Sequence, residues 1–191
     1  MVAGGGDIRQ RAEDLARRFL AQELPRRWEH TCGVARQVEQ LAVDLPEKQK
    51  SILIAAAWLH DIGYSTLLVQ NEFHPIDGAR YAALTKFPAA VVSLIAYHTG
   101  AEVEAEERGL SKLLLQIPRP PAGLLEILSC ADLCTSPDGK PVDPARRVQE
   151  ILARYPRSNP VHRAVSRSGP GLIESAHRVQ AGLGKSRDVA S

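Results

Sequence analysis

An all-α fold is predicted by three features of the 191-residue sequence. Apolar residues recur at three- and four-residue steps in one segment after another, as helices with a buried face require. No alternating apolar and polar run is long enough for a half-buried strand. Pro, Gly and Asp punctuate the segments at positions that start and stop helices.

Asp7 is placed to cap a first helix over residues 8–24, whose apolar positions Ile8, Ala12, Leu15 and Phe19 share one face. Pro25 ends it, and a second helix over 26–45 carries the stripe His30, Val34, Val38, Leu41 and Leu45. Pro46 suits the first turn of a third helix, which is apolar nearly all round from residue 51 to 59 and therefore belongs in the middle of a bundle. It ends at His60 and Asp61. A loop over 64–75 contains His74, Asp77 is expected to cap a short helix over 78–86, and Pro88 opens another over 89–98. There Val91, Leu94, Ile95 and His98 fall on one stripe. Residues 100–109 are acidic and read as a surface turn or ragged helix. Pro and Gly break the chain between 117 and 123. A helix over 124–134 puts Leu125, Leu128 and Asp132 on one face. Asp143 and Pro144 open a helix to about 155, and two weaker helices follow near 162–167 and 171–183. The expected organisation is a flexible N-terminus (1–6), one helical bundle (7–142), C-terminal helices packed on the same domain (143–183) and a polar tail (184–191).

Composition restricts the function. A net charge of +2 without long blocks of either sign leaves no electrostatic footprint for duplex nucleic acid or an acidic membrane surface. No stretch approaches the length needed to span a bilayer, and residues 1–6 lack the basic start and apolar run of a signal peptide. Three cysteines, Cys32, Cys130 and Cys134, suit neither a disulfide framework nor a Cys-based zinc site, so a soluble protein of the reducing cytoplasm is expected.

The chain is organised around Trp58-Leu-His-Asp-Ile-Gly-Tyr64. An ionised aspartate taken out of water needs a cation or hydrogen-bond donors close by, and the adjacent His60 offers a neutral nitrogen ligand to the same ion. His30, the His60-Asp61 pair, His98 and Asp132 each lie on or at the end of an apolar stripe in four different helices, which is how bundles build metal sites.

The segments Arg27-Trp-Glu-His30-Thr, Leu59-His-Asp-Ile-Gly63 and Cys130-Ala-Asp132 resemble the successive motifs of the HD superfamily of metal-dependent phosphohydrolases, over roughly residues 26–140. The resemblance implies an HD-domain helical bundle and a first divalent metal held by His30, His60, Asp61 and Asp132. His74, in His-Pro-Ile-Asp-Gly-Ala-Arg-Tyr, and His98, in Tyr-His-Thr, resemble the extra ligands of two-metal members, in which the motif aspartate bridges the ions. Iron or manganese is expected by resemblance, and cobalt, nickel and zinc also suit mixed nitrogen and oxygen ligands.

The expected activity is hydrolysis of a nucleotide or other small phosphoester by metal-activated water, with Asp61 and Arg27 as the catalytic pair. Arg27 lies one turn before His30 and is placed to reach a phosphate oxygen, with Arg26, Arg80 and Lys140 as looser candidates. The deoxynucleoside monophosphatase subclass has Glu three residues after the motif Asp, where this chain has Tyr64. The His-His followed by Gly-Tyr-Pro of cyclic dinucleotide phosphodiesterases is replaced here, since Thr99 follows His98. The alternatives are a di-iron HD-type oxygenase and a non-catalytic ligand-binding module. The C-terminal helices are expected to close over the site or to make a homodimer contact, and His162 and His177 to have no metal role.

Overall fold

A computed structural model describes residues 7–188, and side chains as far as residue 182; the segment 1–6 and the last three residues of the expected polar tail lie outside it. Among the described residues the chain is helical without strands. Helix α1 (Ile8–Leu20) starts on Asp7, whose carboxylate accepts the Arg9 backbone N–H at 3.0 Å, as a cap should. It ends at Leu20, short of the predicted residue 24. Leu24 precedes proline, whose ring disfavours helical geometry in the residue before it, and Leu24 accordingly adopts φ −132°, ψ 64°. Pro25 therefore opens α2 (Pro25–Leu41) instead of only closing α1. Helix α2 in turn ends at Leu41, short of the predicted residue 45, with Ala42 leaving helical geometry at φ −97°, ψ 13°.

Helix α3 (Glu47–Leu59) runs through the centre, where Leu53, Ala55, Ala56, Ala57 and Leu59 are fully buried. Its all-round apolar character has its cause here, because α1, α2 and α5 (Ala89–Tyr97) pack on three sides of it. Helix α4 (His74–Leu84) pairs with α5. It begins four residues before the predicted start, so Asp77 lies inside its first turn. The Asp77 carboxylate instead accepts the backbone N–H groups of Gln70 and Asn71 at 3.1 Å and the Asn71 amide at 2.6 Å, tying down the preceding loop. The acidic segment forms a regular α6 (Ala101–Glu107), with Ala101 and Ala105 buried. Then come the short α7 (Ser111–Leu114) and α8 (Ala122–Leu133), which packs on α2.

Helix α9 (Pro144–Arg154) begins on its predicted cap, the Asp143 carboxylate accepting the Arg146 N–H at 3.0 Å. The two weak C-terminal helices are in fact one, α10 (Pro160–Asp188), which continues through Pro170. Proline removes one backbone donor and favours a break. Docking of α10 along α6, α8 and α9 outweighs that loss, in a second apolar cluster of Leu133, Val148, Leu152, Val165, Leu172 and Ala176.

Glu107 of α6 accepts from Arg163 at 2.7 Å and from Arg167 at 2.6 Å, both on α10. These bonds lower the Glu107 carboxyl from its ordinary value of 4.5. A depressed carboxyl contributes stability that is complete above its unfolded value and is lost as pH falls through its folded value. Acidification below 4.5 is thus expected to loosen the first half of α10, read as faster amide exchange over residues 160–170 in acid than the intrinsic pH dependence accounts for.

Candidate metal centre

Five elements converge on one point. His30 comes from the middle of α2, and His60 and Asp61 from the end of α3. His74 opens α4, His98 lies in the 3-10 turn after α5, and Asp132 lies near the end of α8. His30, His60 and Asp61 are almost fully buried. The ligand atoms fall into two groups, His30, His60 and Asp132 in one and Asp61, His74 and His98 in the other, each within 4.8 Å.

Asp61 faces both groups. Its Oδ2 lies 3.3 Å from His60 Nε2 and 3.8 Å from His30 Nε2, while its Oδ1 lies 3.5 Å from His74 Nε2. Asp132 Oδ1 is 2.9 Å from His30 Nε2 and 4.0 Å from His60 Nε2. In the other group, His74 Nε2 and His98 Nε2 stand 3.2 Å apart.

The hydrogen bonds behind the rings direct the same nitrogen inward in three histidines. His30 Nδ1 meets the Ser136 carbonyl at 3.1 Å, His60 Nδ1 the Ala57 carbonyl at 2.7 Å, and His98 Nδ1 the Ile95 carbonyl at 2.7 Å. A carbonyl only accepts, so each Nδ1 carries a proton and Nε2 is the nitrogen turned to the centre, where it would offer its lone pair to a bound cation. Among the described residues, buried His60 Nε2 meets the geometry of no hydrogen bond, although Asp61 Oδ2 lies 3.3 Å away. Imidazole nitrogens and carboxylate oxygens turned to one point, with two aspartates and one arginine in contact, make a donor set that fits a cation.

The electrostatics express the same deficit of positive charge. Burial opposes protonation of His60, but Asp61 and Asp132 outweigh it and raise its pKa to about 9. Burial opposes ionisation of Asp61, yet Arg27 and His60 hold its carboxyl well below the usual range. Burial also disfavours the charged forms of His74 and His98 and lowers both, which keeps them available as neutral ligands.

Two glycines make the convergence sterically feasible. A Cβ on Gly63 would lie 2.1 Å from the His74 carbonyl oxygen, so the missing side chain lets the turn after Asp61 pass against the start of α4. Gly139 has φ +69°, and a Cβ there would lie 2.3 Å from the Glu29 carbonyl oxygen. Close approach of that turn to α2 sets Ser136 behind His30.

The HD-domain family model matches residues 27–134, more than half of the chain. The chain belongs to the HD-domain family. Comparison with curated proteins and with solved structures returned no match. The HD-domain match begins at Arg27 and ends at Cys134, so it contains all six residues of the two groups and leaves α9 and α10 outside.

The other expected residues divide clearly. Arg27 reaches the centre, its Nη1 donating to Asp61 Oδ2 at 2.8 Å. Arg26 stands farther out, paired with Asp138 at 3.0 Å. Arg80 and Lys140 are exposed and do not line the site cavity. His162 bonds the Leu152 and Tyr155 carbonyls between α9 and α10, and His177 is exposed.

Sequence reasoning missed two contributions. Tyr64, noticed only as the replacement for a carboxylate, stacks on His74 with ring centroids 3.9 Å apart, and the Arg27 guanidinium lies 4.0 Å from its ring centre. The second is Arg147 and Arg154 of α9, which line the cavity over the centre. Their spacing with Ile151, at i, i+4 and i+7, was available as a signal that the three share a helix face.

No helix among the described residues is long and apolar enough to cross a membrane.

Proposed function

We propose that the protein is a metal-dependent phosphohydrolase acting on a nucleotide or other small phosphoester. The observation that carries this reading is Asp61, which directs one oxygen to each of two ligand groups at the floor of a cavity edged by Arg27. Family membership supplies the metal-dependent class, and the two groups suit two divalent ions, with iron or manganese favoured. When bound, such ions lower the pKa of water toward neutrality and offset charge on a phosphoryl group.

The chain's own residues have distinct tasks in this reading. His30, His60, His74, His98, Asp61 and Asp132 are the ligands. Arg27 has its orientation fixed by Asp61 and Tyr64, and it offers its remaining donors to a phosphoryl oxygen. The cavity encloses about 110 Å³, and Val148, Ile151, Val161, Val165 and Leu172 supply an apolar wall beside the polar floor. That wall suits the body of a small ester, with its phosphate directed to the metals. Three free cysteines fit a reducing cytoplasm.

The experiment is phosphate release from a panel of phosphomonoesters and phosphodiesters by protein purified without a histidine tag and loaded with each metal in turn. Oxygen uptake by the iron-loaded sample is followed in parallel. Metal-dependent release supports the reading; oxygen uptake without release would replace it with the di-iron oxygenase. Arg27→Ala is expected to lower kcat/KM by about 10²-fold, with partial recovery in Arg27→Lys, because one charge-assisted contact to the reacting phosphoryl group is lost. Steady-state kinetics on the best ester check this.

A further inference from the structure

The centre is flanked by a second cavity, on the His30 side. It encloses about 210 Å³ and is lined by Arg26, Arg27, His30, Pro137, Arg147 and Arg154. Arg27, Arg147 and Arg154 line this cavity and the first one alike, so the two cavities adjoin at these three residues.

Four arginines here share three carboxylates. Asp138 pairs with Arg26, Asp61 with Arg27, and Glu150 is divided between Arg147 and Arg154. Charge on this side is therefore uncompensated by one unit, and by more once Asp61 serves a metal. Arg147 is only 6% exposed, and Glu150, bonded to its Nη1, is its one side-chain partner among the described residues. Among the described residues its Nε and Nη2 donors bond no side-chain or backbone acceptor, and the residue borders both cavities. A buried guanidinium with spare donors is suited to an anion with several oxygens, and phosphoryl groups match its planar fork.

We propose that this arginine cleft binds a second phosphoryl group of the substrate, so that the protein prefers a di- or polyphosphorylated ester to a monophosphate. The inference rests on the phosphohydrolase reading for the first phosphoryl site. One wall of the cleft, Arg26 and Arg27, belongs to α2, and the other, Arg147 and Arg154, belongs to α9 beyond the HD-domain match. The selectivity therefore comes largely from a segment outside the part shared with the family.

The test uses two inert probes, methylphosphonate with one phosphonate and methylenediphosphonate with two. Each is titrated calorimetrically into the metal-loaded full chain, with metal content checked afterwards. The wild type is expected to bind the second probe about tenfold or more tightly than the first. In Arg147→Ala and in Arg154→Ala that ratio is expected to fall toward one. Arg154 is exposed, so Arg154→Ala keeps the test decisive if Arg147→Ala fails to fold. Equal binding of the two probes, binding of neither, or a preference that survives both substitutions overturns the proposal, since chelation by the metals alone would not respond to α9. Turnover is not read. If the preference behaves as expected but no ester releases phosphate, the phosphohydrolase reading falls and the cleft stands.

Discussion

Asp61→Asn is expected to reduce metal content from near two ions per chain to one or fewer, and to lower phosphate release by about 10³-fold. Both consequences follow from the position of one carboxylate. Oδ2 lies among His30, His60 and Arg27 while Oδ1 lies near His74, so one side chain serves both ligand groups. Asparagine keeps the shape but removes the negative charge and turns one end into a donor, which cannot ligate a cation. Elemental analysis measures the first effect and the phosphate assay the second. A thermal readout separates lost binding from lost folding: divalent metal should raise the wild-type Tm, because a ligand of the native state stabilises it, and should leave Asp61→Asn nearly unmoved. Two ions retained by the variant would refute the assignment of Asp61 as a bridge.

Gly63→Ala should be strongly destabilising, by about 3 kcal/mol or more. The new Cβ would stand 2.1 Å from the His74 carbonyl oxygen and 2.7 Å from the Gly78 nitrogen. Both are backbone atoms of the first turns of α4, so no side-chain rotamer can relieve the overlap. Either the turn after Asp61 or the start of α4 must move, and His74 is carried away from Asp61 in both cases. The denaturant midpoint should fall, and whatever protein folds should hold fewer ions. Gly171→Ala is the control, since a Cβ there meets nothing within 4 Å on an exposed part of α10. It should be neutral or stabilising by up to about 1 kcal/mol, as expected for alanine in place of glycine in a helix. A Gly63→Ala protein as stable as that control would show that the close approach is dispensable.

Much of the candidate site was legible in the sequence because buried polar residues are conspicuous against apolar stripes. His30, His98 and Asp132 interrupt such stripes, and His60 and Asp61 end the most apolar helix of the chain. His74 had no such background, and only its resemblance to the extra ligands of two-metal HD proteins singled it out. Helix caps at Asp7 and Asp143 were readable because capping is local chemistry over three residues. The errors arose where a local signal had two outcomes. Asp77 could cap its own helix or bind a neighbouring loop, and it binds the loop. Pro170 could break a helix or be carried within one, and it is carried.

Periodicity, caps and the motif residues were enough to establish an all-α chain and to name the residues of its polar centre, since each depends on neighbours a few positions away. Which atoms face which was decided only on folding. The split of Asp61 between two groups, the stacking of Tyr64 on His74, and the placing of Arg147 and Arg154 over the centre all join segments that are distant in sequence. Those contacts depend on how α3, α4 and α9 pack. Packing is settled by excluded volume and buried area summed over the whole core, and no local pattern of residues encodes that sum.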